Sequence, residues 1–164
     1  PITDFVREMN EMFKRLLSIP VPTIAAINGH AFGNGSILSC ACDFRFMRSD
    51  RGFFSFPEVN LGIPFRNGMN AFLKKAVPTY KLVEMQLTGN RYTAPELAAH
   101  HVIVKACADL NELMTEATAF AKTFQKKRGI FGEIKKRLYR DIIETIDKGD
   151  PVEVTGSGSL MIAD

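Results

Sequence analysis

Apolar positions in residues 2–18 recur at helical spacing. Phe5, Met9, Met12, Phe13, Leu16 and Leu17 fall on one side, with Arg7, Glu8, Lys14 and Arg15 between them, which predicts an amphipathic helix ended by Pro20 and Pro22. Thr23 to Ile27 is a short β-type run that stops at the turn pair Asn28-Gly29. Residues 33–42 read as a second helix, built of small side chains that suit close packing. Phe44 to Met47 alternates between two faces and predicts a strand. A turn over Ser49–Gly52 follows, then a strand over Phe53–Phe56, with Glu58 just past its end.

Beyond residue 66 the pattern is mainly helical. Helices are expected over Met69–Ala76, Tyr80–Leu87 and 94–100, the last with Thr93 as N-cap and Glu96 completing a capping box. Val102–Val104 predicts a last strand. Two long helices follow, over Asn111–Lys127 and Ile130–Lys148, the second striped by Ile134, Leu138, Ile142, Ile143 and Ile146. The Gly/Ser stretch Thr155–Ser159 predicts a flexible tail. Strands alternating with helices indicate an α/β architecture. The strands are few and short, and a helical pattern begins at Pro1, so part of the fold is expected to precede this chain.

The chain has 164 residues, 46% of them hydrophobic, which suits one folded domain and argues against disorder. A net charge of +3 fits a small anionic ligand without by itself arguing for nucleic acid or membrane. Cys40, Cys42 and Cys107 form neither a disulfide framework nor a zinc spacing; they read as buried thiols and point to a reduced, intracellular compartment. No run approaches the roughly 18 apolar residues of a membrane span. His100 and His101 point to different sides of a helix end, so no metal site is expected, and His30 reads as a hydrogen-bonded structural histidine.

The chemistry concentrates in two segments. Gly29-His30-Ala31-Phe32-Gly33-Asn34-Gly35-Ser36-Ile37 is a glycine-bearing turn opening a helix, whose first N–H groups are free to bind an anion. It is not a dinucleotide fingerprint: the spacing fails at Leu38, and no phosphate-binding lysine follows. Phe56 to Pro64 carries the carboxylate Glu58. Where a second carboxylate would be useful beside the turn, the chain has Ile37. One base without a second acid suits moving a proton within a substrate better than adding water.

Four stretches together resemble the crotonase superfamily of enoyl-CoA hydratases and isomerases: Pro22-Thr23-Ile24-Ala25-Ala26-Ile27-Asn28-Gly29-His30-Ala31 with Gly33-x-Gly35, Cys42-Asp43-Phe44-Arg45, Pro57-Glu58-Val59-Asn60-Leu61-Gly62-Ile63-Pro64, and Leu87-Thr88-Gly89-Asn90-Arg91-Tyr92-Thr93-Ala94. The resemblance covers residues 1 to about 150. It implies a spiral core of ββα units followed by C-terminal helices. Residues 1–108 would be the C-terminal part of that core, 109–150 a helical trimerisation region and 151–164 the flexible tail. It also implies an acyl-CoA thioester as substrate, held by two backbone N–H donors. One donor falls on Asn34, the other on an upstream family loop outside this chain. Hydratases use two glutamates. Here the first falls on Ile37 and the second is Glu58, a pattern similar to the enoyl-CoA delta isomerases of fatty acid β-oxidation; Met47-Arg48-Ser49-Asp50-Arg51-Gly52-Phe53 resembles the plant type.

The implied reaction moves the double bond of a 3-enoyl-CoA to give the 2-trans-enoyl-CoA, with Glu58 and Asn34 catalytic. Phe32, Gly33, Gly35, Ile37, Phe56, Leu61 and Phe65 would bind substrate, with Phe54 a further wall. No cofactor or metal is implied. The expected partners are the acyl-CoA and further copies of the chain, as a homotrimer or dimer of trimers, without nucleic acid or membrane; peroxisome, mitochondrion and cytoplasm stay open. The alternatives are another crotonase reaction (hydratase or hydrolase), or a non-catalytic acyl-CoA- or RNA-binding relative. Asp43 matches a structural family position, and His101 replaces a family glycine. The basic group Lys126, Lys127, Arg128, Lys135, Lys136, Arg137 and Arg140 reads as a solvated helix face, or alternatively as contacts to CoA phosphates.

Overall fold

The computed structural model describes residues 2–149, with side chains from Asp4 to Lys148. The expected tail over 151–164 lies outside the described residues. In chain order the elements are α1 (Ile2–Ser18), β1 (Ile24–Ile27), β2 (Ala31–Phe32), α2 (Asn34–Ala41), β3 (Phe44–Arg48), β4 (Phe54–Ser55) and a 3-10 helix (Pro57–Leu61). Then come α3 (Asn67–Ala76), α4 (Thr79–Thr88), β5 (Arg91–Tyr92), α5 (Ala94–Ala99), β6 (Lys105–Cys107), α6 (Leu110–Lys122), α7 (Arg128–Leu138) and α8 (Arg140–Gly149).

The strands sort into two small sheets. β1, β3 and β6 form one, all parallel, with Ile24 opposite Phe44 and Phe46 opposite Lys105. β2, β4 and β5 form the other, β2 parallel and β5 antiparallel to β4. β1-β2-α2 is thus one ββα unit, and β3-β4 opens the next. First strands pair with first strands and second with second, as a ββα spiral requires. The main core lies between the sheets and the helices. Phe13 and Leu17 of α1 share this buried cluster with Phe54, Phe56, Phe72, Leu73, Met85 and Leu97, and the Phe13 and Phe72 rings touch. Each such side chain contributes about 1.5–3 kcal/mol by leaving water. A second cluster of Phe46, Cys107, Leu113 and Ala117 seats α6, joined by Phe120.

The capping box forms as expected: Thr93 N and Oγ1 both donate to Glu96 Oε2, at 2.7 and 2.6 Å. Other expectations are corrected. Val102–Val104 is no strand; β6 begins at Lys105. Val102 donates its N–H to Leu97 O at the end of α5, and Val104 donates to Arg45 O. These residues are apolar because Val102 and Ile103 are buried, not because they pair in a ladder. His101, at φ 55°, takes the left-handed conformation ahead of them, a backbone that the glycine expected there from the family resemblance would adopt without strain. The long helix over 111–127 stops at Lys122, where the Thr123 hydroxyl donates to Phe120 O.

The helix over 130–148 is two, broken at Tyr139 (φ −106°, ψ 9°). Its hydroxyl donates to Asp43 Oδ1 at 2.8 Å. Asp43 Oδ2 accepts from Thr23 N (2.8 Å), Thr23 Oγ1 (2.9 Å) and Lys135 Nζ (2.7 Å). Lys135 therefore departs from the solvated face expected of its cluster: it is buried and also donates to the carbonyls of Leu16 and Val21. Lys126, Lys127, Arg128, Lys136, Arg137 and Arg140 are exposed. Burial alone would raise the Asp43 carboxyl pKa, but the donors from Lys135, Thr23 and Tyr139 outweigh it and hold it below the ordinary value. This network fastens α7 and α8 to the core. Cys40 and Cys107 are buried and Cys42 half-buried, and burial raises the pKa of all three thiols.

Candidate active site

The glycine turn is built by close backbone approach. A Cβ on Gly52 (φ 94°) would lie 2.3 Å from Gly29 C, so only glycine lets these two turns cross. Ala31 N donates to Phe53 O at 2.9 Å and Gly33 N to Ser55 O at 3.3 Å, which lays β2 along β4. His30 accepts from Phe53 N at Nδ1 (3.3 Å) and lies against the Phe32 and Phe53 rings, the structural role expected of it. Gly33 (φ 52°, ψ −120°) then swings the chain into α2. The first i→i−4 bond of the helix is Ile37 N to Gly33 O, at 2.9 Å. The amides of Asn34, Gly35 and Ser36 precede it and sit at the positive end of the helix dipole.

Glu58 reaches this turn from the 3-10 helix. Pro57 starts that helix, and Gly62 (φ 64°) closes it by donating to Glu58 O. A Cβ on Gly89 would meet Asn60 Nδ2 at 2.3 Å, so the glycine ending α4 lets the 3-10 helix seat closely. The Glu58 side chain is turned inward and the residue is only 7% exposed. Its Oε1 lies 3.6 Å from where a Gly33 Cβ would be, and its Oε2 is buried without a hydrogen-bond partner. Burial raises the Glu58 pKa, partly offset by its own backbone N–H. A buried carboxyl oxygen left unpaired costs stability. A desolvated carboxylate beside the first amides of a helix, which have no intrahelical acceptor, is equipped for proton transfer.

The structure therefore brings together Glu58, Gly33 and, through the turn, Asn34 and Gly35. Ile37 (2% exposed) and Phe56 (0%) are in the core, Phe56 edge-on to Phe54 and Phe65. Phe65 is half-buried against that core. Phe32 is partly exposed with Arg91 over its ring, and Leu61 is about half exposed. Ser36 and Ser55, which brace the turn, carried no signal in the sequence beyond being small. Among the described residues, no three His, Cys, Asp or Glu side chains group as a metal site would need, and no helix is long and apolar enough to cross a membrane.

The family model described as enoyl-CoA hydratase/isomerase matches residues 2–153. The chain belongs to this family. Among curated relatives, enoyl-CoA delta isomerase 3 of Arabidopsis thaliana is 30% identical over 147 residues, which are 87% of this chain and 62% of the relative. The peroxisomal enoyl-CoA delta isomerase 2 of the same plant is 32% identical over 146 residues, 84% of this chain and 61% of the relative. The chain thus spans about three-fifths of the length of these relatives. An enoyl-CoA hydratase/isomerase family protein from Pseudomonas syringae superposes with a TM-score of 0.81 at 19% identity, over 89% of this chain and 64% of that one. That match carries the crotonase fold, with its ββα core and C-terminal helices.

Proposed function

We propose that this chain carries the proton-transfer centre of an enoyl-CoA delta isomerase. The observation that carries the reading is the buried, partly unpaired Glu58 carboxylate set against the Gly33 turn, with the apolar Ile37 where a second acid would stand. The thioester oxygen of a 3-enoyl-CoA accepts a hydrogen bond from Asn34 N–H. Glu58 removes a proton from C2, and the electron pair delocalises into the adjacent thioester carbonyl and over the C3–C4 double bond as a dienolate. Returning the proton at C4 leaves the double bond between C2 and C3. One base reaching both carbons balances the reaction, and fixed amides aimed at the developing oxyanion act without reorganising. With Ile37 rather than a second carboxylate beside the turn to ready a water, hydration is disfavoured.

Assembly as a homotrimer or dimer of trimers through the C-terminal helices belongs to the same reading. Compartment follows relatives only by name, one peroxisomal and one mitochondrial. Incubating the chain with 3-enoyl-CoA and, separately, with 2-enoyl-CoA tests the function. A double-bond shift is expected from the first; a 3-hydroxyacyl product from the second would point to the hydratase alternative instead.

A further inference from the structure

We infer that Ser36 is a positioning residue for the oxyanion donor, an inference that rests on the isomerase reading above. Ser36 is fully buried in the first turn of α2. Its Oγ lies 2.7 Å from Gly33 O and 2.8 Å from Ser55 O. A hydroxyl back-bond to the carbonyl three residues earlier is ordinary in helices. The carbonyl it touches here is not ordinary. Gly33 C=O belongs to the same planar, trans peptide as Asn34 N–H, so the two point in opposite directions. Whatever holds Gly33 O down toward the helix holds Asn34 N–H out toward the substrate.

Among the described residues, two groups hold that oxygen: Ile37 N–H, at 2.9 Å, and the Ser36 hydroxyl. Gly33 itself has the freest backbone in the turn, with φ 52° and no side chain to lock it. The single proton of that hydroxyl is shared between Gly33 O and Ser55 O, and Ser55 O also accepts from Gly33 N. Ser55 is anchored in turn by its own hydroxyl, which donates to Gly89 O at 3.2 Å. Gly89 packs on the 3-10 helix that carries Glu58. Ser36 therefore couples the direction of the donor to the element bearing the base, while touching no substrate itself.

Both carbonyls keep a backbone N–H when the hydroxyl is removed, so Ser36→Ala should fold. The test uses a saturated acyl-CoA labelled with 13C at the thioester carbon, which binds without reacting; its carbonyl shift reports polarisation by the donor. Wild type should move the bound signal downfield. Ser36→Ala should lose at least half of that displacement, bind within about threefold of wild type, and lower kcat on 3-enoyl-CoA by about 10- to 100-fold with KM little changed. Ser36→Cys, nearly isosteric but a weak donor, should behave like alanine. Ser36→Thr, which keeps the i−3 hydroxyl bond, should restore the displacement. Full displacement in Ser36→Ala or Ser36→Cys overturns the role of Ser36 alone. No displacement in wild type overturns the oxyanion reading, and the Ser36 role with it.

Discussion

Lys135→Met isolates the buried network that fastens α7 to the core. Methionine keeps the apolar stem but removes a charge whose side chain is only 6% exposed. Asp43 then keeps three donors, Thr23 N, Thr23 Oγ1 and Tyr139 OH, at 2.8–2.9 Å, while the carbonyls of Leu16 and Val21 lose theirs. Breaking a buried pair from one side costs about 3–5 kcal/mol. The surviving donors put this case near the low end, about 3 kcal/mol. At this chain length that corresponds to a fall in Tm of roughly 6–12 °C. Calorimetry at pH 7 on wild type, Lys135→Met, Asp43→Asn and the double variant is the assay. The double variant should be less destabilised than the two singles added together, because each single strands the other's partner. Because the folded Asp43 pKa lies below its unfolded value, its stabilisation is full above the ordinary carboxylate range and is lost as pH falls through the lowered folded value. The wild-type advantage should therefore begin to shrink as pH falls below the ordinary carboxylate range and be gone below the lowered folded value. A Lys135→Met Tm within about 1 °C of wild type at pH 7 would refute the network as the fastening of α7.

Glu58 gives the opposite pH signature. Its folded pKa is raised, so the folded state holds its proton more tightly and stability falls as pH rises through that raised value. Glu58→Gln should raise Tm at pH 8, with the gain vanishing near pH 4; equal Tm at both would contradict the burial assigned to this carboxyl. Under the proposed isomerase function, the same shift should set an acid limb on kcat/KM for 3-enoyl-CoA, with activity rising as pH passes an apparent pKa above the ordinary carboxylate value; a limb at or below it would contradict desolvation. Gly33→Ala forces a side chain into φ 52°, ψ −120° with its Cβ 3.6 Å from Glu58 Oε1, so a loss of about 1–3 kcal/mol in urea unfolding is expected together with most of the activity. Gly52→Ala should destabilise at least as much, since its Cβ would overlap Gly29 backbone that cannot move aside; unchanged urea midpoints for either would refute the strain argument.

Much of this fold was legible because its signals are local. The amphipathic spacing of α1, the small residues of α2 and the Thr93–Glu96 box each lie within one turn or two of chain. What stayed hidden was set by distant partners. β2 and β5 are two residues each, too short for any periodicity, and exist because β4 lies between them. The break at Tyr139 has no proline or glycine to mark it; it comes from a hydroxyl drawn to Asp43, 96 residues away. Lys135 sits in a run of basic residues and looks solvated until α1 and the Thr23–Asp43 corner enclose it. At the site, the family motifs pointed to Glu58 and the glycine turn, which the fold does bring together. The bracing by Ser36 and Ser55 was not readable, since a serine hydroxyl finds its acceptor only once the strands are paired.

In the proposed isomerisation one buried carboxylate, Glu58, moves the proton. Wild type and Glu58→Gln, both checked for native secondary structure, should be mixed with 3-enoyl-CoA in deuterated buffer and followed for the conjugated 2-enoyl thioester and for deuterium at C2 and C4. Wild type should form the conjugated product, with any deuterium confined to those carbons, and Glu58→Gln should lose at least about a thousandfold in rate while still binding the thioester. Turnover by Glu58→Gln within tenfold of wild type would contradict the account.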